Sequence, residues 1–377
     1  MKNTVILLII TLVLATCIEP AGIEPAEFND FLVVEGFITD QPGPHKIKIT
    51  RMAKFSGIRE QGEISIEKNV IVNIIDEDGQ VTRLQEDFDE LKEVYCSFGR
   101  VISNFVSLQQ GYQTPSDFQG EIGKSYTLEV ITKAGKVYHS TPQTIRETPP
   151  IQSIGLSFKE IPTENALTPQ SGVEIFSTWL DPAGEENFYY WRMNGIYQLN
   201  TPTKPESGGR ICPNCLYDPD DGGAESCFII EENVPGNLLG FADTRVDGQL
   251  VTKAVGFIED DTKRFSSDGV PGQKQYYVEL EQYAISKENY EFNNAIMTLE
   301  NINGEIFDPP PLSVRGNMFN VEDPDDIIVG YFGAYQVQKK SLFIPRSILE
   351  FRQPSREPCG DCRVYKGAQT EVPEPYQ

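Results

Sequence analysis

The chain has 377 residues, 39% of them hydrophobic, and sets 32 Lys and Arg against 56 Asp and Glu for a formal net charge of −24. That length and apolar fraction supply the core of two domains. The charge argues against nucleic acid or an anionic membrane surface as partner, because a phosphate-binding face needs the opposite sign; it suits solubility, cation attraction or a basic partner.

The strongest local signal is at the N-terminus. Lys2 opens a short basic stretch, and Val5 to Ala15 is apolar apart from Thr11. A bilayer span needs about 20 apolar residues, so residues 1–16 read as a secretory signal peptide. The segment ends Leu14-Ala15-Thr16-Cys17. This resembles the bacterial lipobox, with Thr16 where Gly, Ala or Ser is usual, and makes Cys17 the expected lipidation site. Pro20, Gly22 and Pro25 then break any helix or strand, and residues 17–29 read as a lipid tether. No later stretch is apolar enough to cross a bilayer as a helix.

From Phe31 the pattern has period two. Phe31–Ile38 reads as a strand, residues 39–44 as a turn, and His45–Met52 as a second strand with Ile47 and Ile49 on one face. Val70–Ile75, Gln80–Leu84, Tyr126–Ile131 and Val137–Thr141 follow, separated by turns rich in Gly and Asp. Residues 30–147 are expected to form a β-sandwich. Thr148-Pro149-Pro150 marks a boundary, and residues 151–352 a second sandwich. Its paired aromatic strands, Gly172–Leu180 and Phe188–Met193, resemble the B and C strands of a fibronectin-III-like domain, with Trp179 and Trp191 in the core. Residues 201–228 form an aperiodic insert rich in Pro, Gly, Asp and Cys, of a length that in compact domains is usually functional. Strands return at Leu250–Ile258 and Gln275–Tyr283.

Residues 286–301 read as one amphipathic helix. Ser286 caps it, Ile285 and Tyr290 staple it, and Phe292, Ile296 and Leu299 form its apolar stripe. Asp326–Gln338 is expected to be a single apolar strand, Ser341–Arg346 the last, and residues 353–377 a cysteine-containing tail. The fold expected is therefore mainly β: two tandem immunoglobulin or fibronectin-III-like sandwiches with one short helix in the second.

The chain has seven cysteines. With Cys17 taken by lipid, six remain: Cys96, Cys212, Cys215, Cys227, Cys359 and Cys362. An even number in an exported chain indicates disulfides. Cys212/Cys215 and Cys359/Cys362 are two CxxC pairs, a spacing that also suits a four-thiolate zinc site or thiol exchange; Cys96 then needs a partner, with Cys227 as a candidate. Asp218, Asp220 and Asp221 resemble part of a calcium loop that lacks its later ligands. Only two histidines occur. His45 and His139 are both read as surface strand residues, and so few make Ser-His-Asp and three-His zinc sites hard to build. P-loop, nucleophile-elbow and HExxH motifs are absent from the sequence. No catalytic residue and no cofactor is expected.

Several segments resemble one family: Val33–Pro44, Ile285–Phe292, Gly304–Pro311 followed by Arg315-Gly316-Asn317, Val329–Ala334, and Cys359–Cys362. They are similar, in order, to the DUF4249 family of Bacteroidota lipoproteins, a family of unknown function whose members tend to be encoded beside TonB-dependent outer-membrane receptors. The resemblance implies a lipid-anchored outer-membrane protein that helps a TonB-dependent receptor capture or admit a nutrient. The ligand, a small molecule or a glycan, and the face of the membrane are left open. A structural or assembly role in the envelope is the alternative, and a carbohydrate-active hydrolase a third reading.

Overall fold

The computed structural model describes residues 31–52, 64–88, 95–96, 111–162, 169–201, 215–216, 224–232, 234, 240–244, 246–260, 264–265, 276–300, 314, 316–349 and 361–377. In chain order the first strands are β1 (Phe31–Thr39), β2 (Lys46–Met52), β3 (Ile64–Ile66), β4 (Ile71–Asp76), β5 (Val81–Arg83), β6 (Gln85–Asp87), β7 (Tyr95–Cys96), β8 (Gly111–Gln113), β9 (Ser125–Ile131), β10 (Val137–Ser140) and β11 (Gln143–Thr144). Next come β12 (Ser153–Ile161), β13 (Gln170–Leu180), β14 (Phe188–Asn200), β15 (Cys215–Leu216), β16 (Ser226–Glu231), β17 (Phe241–Ala242), β18 (Leu250–Glu259) and β19 (Tyr276–Ile285). The helix α1 (Lys287–Glu300) precedes β20 (Met318–Asn320), β21 (Ile328–Tyr335), β22 (Val337–Ile344) and β23 (Ala368–Gln369).

Apart from β7 and β15, which pair with each other, these strands form two sandwiches, so the chain is mainly β as its periodicity indicates. In the first, a sheet of order β21-β1-β2-β8-β6 faces one of order β20-β10-β9-β4-β5. Alternation decides which side chains enter the core: Leu32, Val34 and Ile38 from β1 and Ile47 and Ile49 from β2 meet Val72, Ile74, Leu128 and Val130 from the other sheet. In the second sandwich β12-β13-β18 faces β22-β19-β14-β16-β23. Among the seven long strands of its described residues the first, second and fifth share one sheet, as in immunoglobulin-like Greek keys. The aromatic strands β13 and β14 accordingly lie in opposite sheets, and Trp179 and Trp191 meet in the core with ring centroids 5.1 Å apart.

One buried amide ties this core together. Gln282 accepts from Trp191 Nε1 at 2.9 Å and Ser177 Oγ at 3.2 Å, and donates to the Pro149 carbonyl at 2.8 Å. A buried donor or acceptor left unpaired costs about 1–3 kcal/mol, so this one side chain holds both sheets and the linker in register. The helix is capped as expected: Ser286 Oγ accepts from Asn289 N at 3.2 Å. Hydrogen bonds from its own backbone and from Ser286 hold the Glu288 carboxyl below the usual range.

The boundary between the sandwiches differs from the sequence expectation. Residues 326–338 do not make one strand of the second sandwich. β21 runs parallel to β1, with Leu32 opposite Ile328 and Thr39 opposite Tyr335, and β20 pairs with β10. Both complete the first sandwich from within the range 151–352. The chain then changes sandwich at Gln336 alone, and β22 pairs with β19. Asp40 holds both sides of this switch: its N–H donates to Tyr335 O at 3.2 Å, and its carboxylate accepts from Val337 N at 3.0 Å. Thr148 holds the middle, donating from N to Gln336 Oε1 at 2.7 Å and from Oγ1 to Gln336 O at 2.8 Å. Phe37, on the face of β1 turned away from the core, packs on Tyr283 and Tyr335 to fill the seam.

His45 is a second difference. It precedes β2 rather than lying on it and is 9% exposed. Its ring is edge-on to Phe118 and its Nε2 lies 3.1 Å from Gln41 O; burial pushes its pKa down. His139 does lie on a strand, half-buried, with Nε2 3.1 Å from Glu129 Oε2.

The parallel contact requires glycine at 330. Gly330 sits opposite Val34 at φ +121°, and a Cβ there would collide with the Val34 carbonyl oxygen. Gly330→Ala is expected to destabilise the protein by about 2–4 kcal/mol, through backbone strain and the forced separation of β1 from β21. The urea unfolding midpoint checks this; an unchanged midpoint would mean that the strands do not pair as described.

Candidate functional site

The expected site residues fall into three groups: those the fold joins, those it sets opposite one another, and those outside the described residues. Cys227 and Cys362 are joined. Cys227 is the second residue of β16, and Cys362 opens a short 3-10 turn, Cys362–Val364, laid against that strand. The turn is fixed by Asp361, which is fully buried and caps it by accepting from Arg363 N at 3.0 Å. Asp361 also accepts from Ala224 N at 3.2 Å and pairs with the Arg363 guanidinium at 2.7 Å. β23 then pairs with β16, and Tyr376 reaches back to the Ile196 carbonyl at 2.8 Å. The tail thus forms the outer strand of the second sandwich, with Cys227 and Cys362 disulfide-bonded at a Cα separation of 5.7 Å.

That bond corrects two expectations. Cys362 has no free thiolate to give a four-cysteine zinc site with Cys212, Cys215 and Cys359, because its sulfur is covalently used. Cys227 is likewise not the partner of Cys96. Instead Cys96 stands directly opposite Cys215 in the two-residue antiparallel ladder of β7 and β15. Cys17, Cys212, Cys359 and the candidate calcium ligands Asp218, Asp220 and Asp221 lie outside the described residues.

The structure also gathers three carboxylates that no sequence spacing signals. The pairing of Leu180 with Leu250, and of Phe188 with Ala242, brings the turns 181–187 and 243–249 to one end of the second sandwich. There Asp181, Asp243 and Asp247 each place an oxygen within 4.8 Å of the others. Asp181 and Asp243 are 1% and 2% exposed, and Asp247 is exposed. Asp181 accepts from Tyr189 Oη at 2.8 Å and Gly248 N at 3.4 Å. Asp247 accepts from Gly184 N at 2.7 Å, and Asp243 from Asn187 Nδ2 at 3.4 Å. Burial, with the negative charge of Asp243 beside it, raises the Asp181 pKa despite the Tyr189 and Gly248 hydrogen bonds. Burial and the adjacent Asp181 push the Tyr189 hydroxyl up in turn. Chemically, such a group of carboxylates can share a proton, and its hard oxygen donors are of the type that hold calcium or magnesium. Asp181-Pro182 and Asp247-Gly248 are legible only as separate turns; strand pairing alone makes them neighbours.

Comparison with known proteins bears on the whole fold rather than on any one of these residues. The family described as a domain of unknown function (DUF4249) is matched over residues 18–341. The chain belongs to the DUF4249 family. The match spans both sandwiches of this DUF4249 protein, includes β21 on its return to β1, and ends inside β22, while the disulfide-bonded tail follows it. No curated protein and no solved structure matches the chain.

Two outcomes are expected of these sites. The Cys227–Cys362 bridge closes a sequence separation of 135 residues, so replacing both cysteines by serine should cost about 2–5 kcal/mol in urea unfolding. A loss too small to measure would show that the tail docks without the bridge. The carboxylate cluster makes stability depend on pH. Folded Asp181 holds its proton more tightly than the unfolded chain does, so it withdraws stability as pH rises from the ordinary value near 3.8 through its raised one. In a chelating buffer, Asp243→Asn should gain stability relative to the parent protein between pH 4 and 7; parallel pH profiles would contradict the repulsion.

Proposed function

We propose that this DUF4249 protein is an outer-membrane lipoprotein, anchored through Cys17, that acts as a non-enzymatic binding partner of a TonB-dependent transporter in nutrient capture or uptake. The observation that carries the reading is the leader itself: a basic start, an apolar run too short to span a bilayer, and a lipobox-like end at Cys17. The residues from there to β1 could reach at most roughly 50 Å if fully extended. An acyl anchor confines the protein to the plane of its partner, which raises the effective concentration for docking without any new contact. The two sandwiches share a continuous β21–β22 segment. We assign ligand capture chiefly to the part of residues 201–228 that precedes β16, and the ligand to small molecules or glycans. The transporter as partner rests on the setting that the family resemblance implies.

The test is a tagged full-length chain expressed in its native host with a clickable fatty acid, followed by detergent solubilisation and pull-down. Label on the parent protein but not on Cys17→Ala, together with a co-purified TonB-dependent transporter, is the expected result. An acylated protein that brings down no transporter, or a barrel-assembly or secretion complex instead, overturns the partner. Hydrolysis of a glycan panel by the purified protein overturns the non-enzymatic assignment.

A further inference from the structure

We propose that Cys96 and Cys215 form a disulfide that clasps the first sandwich to the second. The placement comes from the backbone. β7 belongs to the excursion between β6 and β8 of the first sandwich, and β15 to the excursion between β14 and β16 of the second. The two excursions meet in an antiparallel ladder with Cys215 opposite Cys96 and Leu216 opposite Tyr95. Directly opposite residues of such a ladder have Cα atoms about 4.5 or 5.5 Å apart, depending on their hydrogen-bonding class. Both separations lie inside the roughly 4.4–6.8 Å range that a disulfide spans. Opposite positions also share one face of a ladder, which is the other geometric requirement.

A further observation points the same way. The neighbouring cysteines are already oxidised: the turn that carries Cys362 lies against β15, and Cys362 is bonded to Cys227. Formation of the clasp converts two thiols into one disulfide. The two electrons and two protons pass to a disulfide-bearing oxidant, which leaves as a dithiol. The inference rests on the exported location proposed above, where such oxidants operate.

The experiment is non-reducing peptide mapping of the mature protein from its native envelope, with free thiols alkylated before digestion by trypsin and an Asp-N protease. These enzymes place Cys96 in peptide 93–100, Cys212 and Cys215 in 211–217, Cys227 in a third peptide, and Cys359 and Cys362 in separate ones. The expected result is peptide 93–100 linked to 211–217. In Cys215→Ser, Cys96 should become alkylated, whereas in Cys212→Ser it should remain linked. Alkylated Cys96 in the parent protein, or Cys96 linked to Cys212 or to any other peptide, overturns the clasp. The Cys227–Cys362 bridge separates the two failures: Cys96 free with that bridge intact refutes the clasp alone, and every thiol free refutes the exported location with it.

Discussion

The parallel pairing of β21 with β1 is the contact on which the rest of this molecule depends. It joins a strand from the start of the chain to one near its end, and it completes the first sandwich with residues that follow the second. The single-residue passage through Gln336 then obliges β22 to leave from the same point into the other sandwich. Asp40, in the turn between β1 and β2, and Thr148, in the connection from β11 to β12, hold the passage from either side. A hinge between the domains would have to break these hydrogen bonds and open the Phe37–Tyr283–Tyr335 aromatic contact together. Beside the seam, Glu281 pairs with Lys339 of the neighbouring strand at 2.7 Å and accepts a hydrogen bond from Tyr283, which fixes the Tyr283 ring against Phe37.

Much of the fold is legible in the sequence because most strands face a core on one side only. Lys46–Met52 and Ser125–Ile131 alternate so regularly that their inward residues can be named in advance. Trp179 and Trp191 are identifiable as core from adjacent aromatic strands, and Ser286 as a helix cap from its position before an apolar stripe. The family is likewise legible, from motifs spread along both sandwiches. Periodicity fails where both faces are covered. Ile328–Tyr335 is apolar throughout because β21 packs on the core with one face and on the seam or α1 with the other, as Tyr335 and Tyr331 do. No glycine or proline marks the change of sheet at Gln336, so the run reads as one strand of one domain.

The site-level failures have the same origin. Which cysteine meets which depends on where β16, the tail and the two excursions lie in space, and spacing along the chain holds no information about that. CxxC spacing favours pairing the two motifs with each other; the fold instead spends Cys362 on Cys227, a residue outside both. Asp181 and Asp243 become neighbours only because β13 with β18, and β14 with β17, end at the same edge of the sandwich. The buried His45 shows the converse: its residue type continues the alternation of β2, but the strand begins at Lys46 and His45 belongs to the turn that packs on Phe118.

The discontinuous first sandwich has a consequence for biogenesis. Its amino-terminal strands cannot find their last sheet partner until residue 335 is present, whatever their intrinsic β preference. A polypeptide that emerges from its amino end therefore stays incomplete, with the edge of β1 unpaired, until nearly the whole chain is present. Unpaired edges of this kind invite aggregation. Protection of the nascent strand is thus a requirement set by topology.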